Sequence, residues 1–153
     1  MKLISHRGNI IGPIPDKENR PSYIDCAIQL GYEVEIDIRY INNQFWLGHD
    51  TPDYKINREW LEPRLKYLWL HCKDVAAAYK LKEFTAAKYF CHSIDTYVLT
   101  STRHLWVHDL TLPLTESCII PLLSKEDIDT YPGDIVHGIC TDYVTYCKYK
   151  CKI

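Results

Sequence analysis

The chain has 153 residues, 46% of them apolar, and 18 Lys and Arg set against 20 Asp and Glu give a net charge of -2. That length suits one domain with a real core, and residues 1–153 read as a single unit without repeats or linkers. The near-neutral charge, with no basic stripe interleaved with aromatics, removes nucleic acid as an implied partner, and no apolar stretch approaches the ~20 residues of a membrane span.

The first predicted strand is Lys2–Ser5. Pro21–Leu30 reads as a helix because Pro21 takes an N1-like position. Val34–Ile38 alternates strictly, Val34, Ile36 and Ile38 on one face and Glu35, Asp37 and then Arg39 on the other, the two-residue period of a strand. A hairpin follows through Asn42-Asn43 into Phe45–Leu47. Asn57–Leu65 is predicted helical, with Trp60, Leu61 and Leu65 as its apolar positions, and Tyr67–Cys72 is the next strand. Asp74–Phe84 is a helix with Asp74 as N-cap. Strands are expected at Lys88–His92, Leu105–His108 and Cys118–Pro121, then a helix at Ser124–Tyr131 opened by Ser-x-x-Asp, then a strand at His137–Asp142. Strand alternating with helix implies a parallel sheet.

Lys2 is not followed by an apolar leader segment, because His6 and Arg7 interrupt it. No secretory signal is read, and a cytoplasmic protein with reduced thiols is expected from its seven cysteines. Cys72, Cys91 and Cys140 fall in apolar runs and are expected in the core. Cys147 and Cys151 have the spacing of a pair or half a metal site, but without a second pair we read them as thiols.

Glu35 and Asp37 place two carboxylates on one strand face, about 7 Å apart at the backbone, where they can converge on a hard cation beyond the strand end. Taken alone, such a pair is read as a solvated strand edge. Its company changes that reading. His6-Arg7-Gly8 ends the first strand, Glu18-Asn19 precedes the first helix, Glu35-x-Asp37 follows, and Gly48-His49-Asp50 closes the hairpin. In this order and spacing the chain resembles the glycerophosphodiester phosphodiesterase family, with its HRG, PEN, ExD and HD motifs. The resemblance is close over Ile4–Pro52, about a third of the chain. Gly138-Ile139-Cys140-Thr141-Asp142 is similar to the family's closing strand. Phe90-x-His92-x-x-Asp95 and then Leu99-Thr100-Ser101 resemble a short branch of it that also carries His-Cys-Lys. Lys17 replaces the proline of PEN, and His71, in His71-Cys72-Lys73, stands where the main line has its third acidic metal ligand.

The resemblance implies a TIM-type β/α barrel. Such a barrel typically needs about 250 residues, so a trimmed one is expected here, with seven countable strands, an undecided eighth and helices reduced in the C-terminal half. It also implies that His6 and His49 are the acid/base pair, their roles undivided, and that Glu35 and Asp37 hold one divalent cation with His71 as third ligand. His71 is equally readable as a histidine hydrogen-bonded within the mouth. Arg7 and Lys73 would contact the phosphate, with a structural ion pair the alternative for Lys73. Glu18 divides between support near the metal and capping of the helix start. His92 and Asp95 are candidates for the same mouth, and Trp106 for an aromatic wall or core filling beside His108. His104 and His137 carry no assigned role, and Asp142 is expected to tie down the last strand.

The expected activity is metal-dependent hydrolysis of a small glycerophosphodiester or related lipid-headgroup phosphodiester, with water or a neighbouring substrate hydroxyl attacking. The cation is Mg²⁺ or Ca²⁺ by resemblance, with Mn²⁺, Fe²⁺ or Zn²⁺ brought in by the softer imidazole. The alternative is a phosphoester-binding protein that has lost its third acidic ligand, against which both histidines speak, because binding alone needs no acid/base pair. The residues leave the substrate alcohols and the oligomeric state open.

Overall fold

The computed structural model describes residues 1–133 and 135–152. Its ten strands form one mixed, curled sheet. Six of them, β1 (Lys2–His6), β2 (Glu33–Ile41), β5 (Leu68–Cys72), β6 (Lys88–Phe90), β9 (Cys118–Pro121) and β10 (Gly138–Thr141), run parallel with β8 (Leu105–Val107), in the order β6-β5-β2-β1-β10-β9-β8. β3 (Gln44–Leu47) and β4 (Tyr54–Ile56) add an antiparallel meander to the far half of β2, and β7 (Tyr97–Leu99) pairs antiparallel with β8.

The five helices are short: α1 (Pro21–Gln29), α2 (Arg58–Leu61, continued as a 3₁₀ turn over Glu62–Tyr67), α3 (Val75–Leu81), α4 (Lys125–Thr130) and α5 (Val144–Lys150). Asp74 caps α3 through Ala77 N, Asn57 caps α2 through Trp60 N, and Ser124 with Asp127 forms a complete capping box on α4. These local bonds start helices too short to persist alone, and packing then holds them. Val34, Ile36, Ile38, Leu68 and Leu70 sit in the cluster beneath α1, α2 and α3, while Leu3, Ile120 and Ile139 pack beneath α4 and α5. A third cluster fills the concave interior with Ile4, Trp69, Phe90, Trp106, Ile119 and Cys140, one residue from each of six parallel strands. Among the described residues, no helix is long and apolar enough to cross a membrane.

The expected TIM-type β/α barrel, even trimmed, is not what forms. The sheet is a curled, mixed half-barrel and its helices are too few to ring it. A strand-helix-strand unit takes about 30 residues, and neither the Phe90 to Leu105 nor the Val107 to Cys118 connection has them. The first connection spends its length on β7, and the second is loop. Between β6 and β8, where the strand pairing stops, stacked rings bridge the gap instead: Phe90 on Trp106 at 4.4 Å and His92 on His108 at 3.7 Å between centroids. Cys91, expected in the core, is exposed, whereas Cys72 and Cys140 are buried, and all seven cysteines are free. Cys147 and Cys151, one helical turn apart, hold their sulfurs 3.9 Å apart.

Candidate metal centre

The residue alternation that buries Val34, Ile36 and Ile38 beneath the helices turns Glu35 and Asp37 into the concave side. Parallel register places His6 beside Glu35 and His71 beside Asp37. Arg7 and Gly8 then leave β1 with positive φ, 54° and 92°. Gly8 is required there because a Cβ would lie 2.9 Å from the Tyr23 ring. This turn brings the Arg7 guanidinium back over the strand ends, with Nε 3.1 Å from Asp37 Oδ2 and Nη1 3.0 Å from Glu18 Oε2.

Glu35, Asp37 and His71 each offer one ligand atom within 4.8 Å of the others. His71 Nδ1 lies 3.1 Å from Asp37 Oδ1 and 3.8 Å from Glu35 Oε1, and its Nε2 meets the His92 carbonyl oxygen at 3.2 Å. A carbonyl only accepts, so Nε2 donates there, and Nδ1 is left as the ring atom facing the two carboxylates. Metal-bound histidines are oriented in the same way. Glu35 Oε2 and Asp37 Oδ1 are buried without a well-aligned hydrogen bond. Buried carboxylate oxygens this close together are stable only with a proton or a cation among them.

The electrostatics agree. Burial and the neighbouring Asp37 push the Glu35 carboxyl up, against the opposing pull of His6, His71 and Arg7. Burial also raises Asp37, but His71, Arg7 and the Asn19 amide outweigh it and hold Asp37 well below the usual carboxylate range. Around the cluster stand four carboxylates (Glu18, Glu35, Asp37, Asp142) and two fixed cations (Arg7, Lys73), a difference of two negative charges. The donor set and this deficit fit one divalent cation.

His6 is held from behind. Its Nδ1 lies 2.8 Å from Asp142 Oδ1, and its Nε2 faces Glu35 Oε2 at 3.9 Å. Burial lowers the His6 pKa, but the Asp142 hydrogen bond and the Glu35 charge more than compensate, and it ends raised. Asn9 ties the arrangement together by donating to Glu18 and to Asp142 at 2.9 and 2.7 Å. Asn19, with φ 60°, clasps Asp37 twice: its Nδ2 donates to Oδ2 and its Oδ1 accepts from the Asp37 backbone N–H, both at 2.9 Å.

A cavity of about 570 Å³ opens over these groups, lined by His6, Arg7, Glu35, His49, His71 and Lys73 on its polar side and by Phe90, His92, Trp106 and His108 on the ring-stacked side. Lys73 Nζ lies 3.6 Å from Asp37 Oδ1, so it joins the ion-pair network as well as the cavity wall. Glu18 is bound to Arg7 and Asn9 and caps no helix, since α1 has no side-chain cap. Trp106 belongs to both the interior core and the wall. Asp95 is exposed and stands apart from the cavity lining. Asp142, expected to tie down a strand, instead orients His6.

Asn9, Asn19 and Asp142 were missed as site residues. Asn19 was within reach through the Glu18-Asn19 pair and Asp142 through the Thr141-Asp142 ending, but nothing local marks Asn9. No family model matches this chain, and no curated protein and no solved structure matches it either.

Proposed function

We propose that this protein is a metal-dependent phosphodiesterase that hydrolyses a small glycerophosphodiester or a related lipid-headgroup phosphodiester. The observation that carries the reading is one cavity in which an oriented imidazole, His6, faces three convergent ligand groups, Glu35, Asp37 and His71, with a buried oxygen on each carboxylate that has no hydrogen bond and with Arg7 and Lys73 beside them. The four sequence motifs resembling the glycerophosphodiester phosphodiesterases support it, and the seven free cysteines suit a cytoplasmic setting.

Glu35, Asp37 and His71 would hold the cation. When bound there, a divalent cation supplies Lewis-acid neutralisation of a non-bridging phosphate oxygen. Arg7 and Lys73 bind the phosphate from the side, one as a planar fork and the other as a point charge. Asp142 fixes the His6 tautomer, so that Nε2 faces the reacting centre, as an orienting carboxylate does in general acid/base sites. One of His6 and His49 takes the proton of the attacking oxygen, and the other protonates the leaving alkoxide.

Release of p-nitrophenol from bis(p-nitrophenyl) phosphate, with Mg²⁺, Ca²⁺, Mn²⁺ or Zn²⁺ and again after EDTA, tests this reading. Turnover that needs one of these ions and disappears on chelation is expected. Absence of turnover with all four overturns it.

A further inference from the structure

The imidazole of His49 has no anchor of its own inside the cavity. Its side chain is 40% exposed and its one hydrogen-bond partner among the described residues is the neighbouring Asp50, Nδ1 to Oδ1 at 2.7 Å. Where the ring sits therefore depends on where the backbone of the 48–53 turn sits. That turn is pinned to β2. Gly48 N–H donates to the Asp37 carbonyl at 3.2 Å, and Asp53 N–H closes the turn on the Leu47 carbonyl at 2.9 Å. Gly48 has φ 141°, and a Cβ there would collide with the Thr51 carbonyl oxygen, so the turn tolerates no side chain at that point.

The remaining clamp is Arg39. It follows Glu35 and Asp37 at two-residue steps along β2, yet its guanidinium is not part of the cavity lining. With Asp50 and Asp53 nearby in the same turn, Arg39 makes no ion pair among the described residues. It donates through Nη1 to the Gly48 carbonyl and through Nη2 to the His49 carbonyl, the latter at 2.7 Å. A planar fork on two successive carbonyls fixes a backbone segment in both position and tilt, which a single bond cannot do.

We infer that Arg39 is the positioning residue for His49, holding the His49 turn at a set distance from the Glu35–Asp37 carboxylates carried by the same strand. Strand β2 thus acts as a ruler: two of its residues face the cation site and the next in the same row sets the height of an acid/base group. The geometry of the turn stands independently of the reaction, whereas its catalytic consequence rests on the phosphodiesterase reading.

The test is a double-mutant cycle of Arg39→Met and His49→Ala, combined with hydrogen exchange read by NMR on the intact chain. In Arg39→Met, the hydrogen-bonded Gly48 and Asp53 amides should exchange at least about tenfold faster, while core amides such as Ile36 and Ile119 stay unchanged. The kcat on bis(p-nitrophenyl) phosphate should fall about 10- to 100-fold with KM little moved, the scale of a misplaced catalytic group. Arg39→Lys should recover part of the rate, and guanidinium ion added to Arg39→Met should recover some as well. In the His49→Ala background, Arg39→Met should cost nothing further in kcat, because its effect passes through the missing ring. An additive loss in that background, or unchanged exchange at Gly48 and Asp53, overturns the inference. Should the wild-type chain turn over no diester, the phosphodiesterase reading fails, and the exchange rates alone decide whether Arg39 holds the turn.

Discussion

Glu33 and Glu35 stand two residues apart on the same face of β2, one near the floor of the curled sheet and one near its mouth, and their surroundings differ completely. Both oxygens of Glu33 are partnered: Oε1 by Lys2 at 3.0 Å, and Oε2 by the Trp69 indole and by Lys88, each at 2.7 Å. Burial raises its pKa, but the Lys88 contact, with Lys2 and Trp69, leaves it lowered. Lys88 gives a further hydrogen bond to the Lys66 carbonyl and lies 4.6 Å over the Trp69 ring. Glu35, more deeply buried, keeps an oxygen with no hydrogen bond and a raised pKa. A fold able to satisfy a half-buried glutamate completely at one end has left its neighbour incomplete at the other. Carboxylate oxygens left incomplete at the mouth are what a ligand site looks like before its ligand.

The largest effects that could break this contrast lie at the mouth. His6→Ala and His49→Ala should each lower turnover at least ~10²-fold, a usual scale for losing a general acid or base, with circular dichroism unchanged. Near-full turnover in either variant removes that residue from the chemistry.

Stability should separate the two glutamates next. In EDTA at pH 7, Glu33→Gln should cost about 2 kcal/mol in urea unfolding, the scale of lost charge-assisted hydrogen bonds. Glu35→Gln should cost nothing or stabilise, since a carboxyl with a raised folded pKa loses stability as pH rises through that value. Glu33, with a lowered folded pKa, does the reverse: its contribution is present above the ordinary carboxylate pKa and is lost as pH falls through the folded one. Adding Mn²⁺ should raise the wild-type midpoint and move the Glu35→Gln midpoint less. Equal responses of the two variants would erase the distinction between floor and mouth.

His71→Glu should shift metal preference toward Mg²⁺ or Ca²⁺, because a third carboxylate replaces a neutral imidazole. Titration calorimetry of both chains with Mg²⁺ and Mn²⁺ reads this, and an unchanged affinity ratio would mean that His71 does not touch the metal.

The smallest effect belongs to the ring-stacked wall. Burial, with His92 and His71 nearby, lowers His108 to about 4. The unfolded chain therefore takes this proton first, and stability should decline as pH falls from about 6.5 toward 4. His108→Phe, which keeps a ring against His92, should flatten that decline in denaturant midpoints measured across the interval.

Much of the mouth was legible because its chemistry is local. The alternation of Val34–Ile38 and the His6, Glu35 and His49 motifs declare themselves within a few residues. What stayed hidden is either long-range or too short to have a pattern. The His6–Asp142 contact spans 136 positions, and nothing near either residue announces the other. β7 has three residues and β4 three, below the length at which a two-residue period can be recognised. Helix α5 went unread because Cys147, Lys148 and Lys150 sit in a run with no start signal, and its first residue follows Tyr143, which makes no side-chain cap. The barrel expectation failed for a related reason. Motif resemblance lies in the strand ends, whereas the number of helices is decided by connection length, and the short connections on either side of β8 left no room for them.

If Glu35, Asp37 and His71 hold a cation, as we propose, calorimetric titration of Mn²⁺ into wild type and Asp37→Asn will show it. Asp37 is the member common to the His71, Arg7 and Lys73 contacts. One saturable site in the wild type, absent from a folded Asp37→Asn, is the predicted result. No binding by the wild type, or the same binding by the variant, would contradict it.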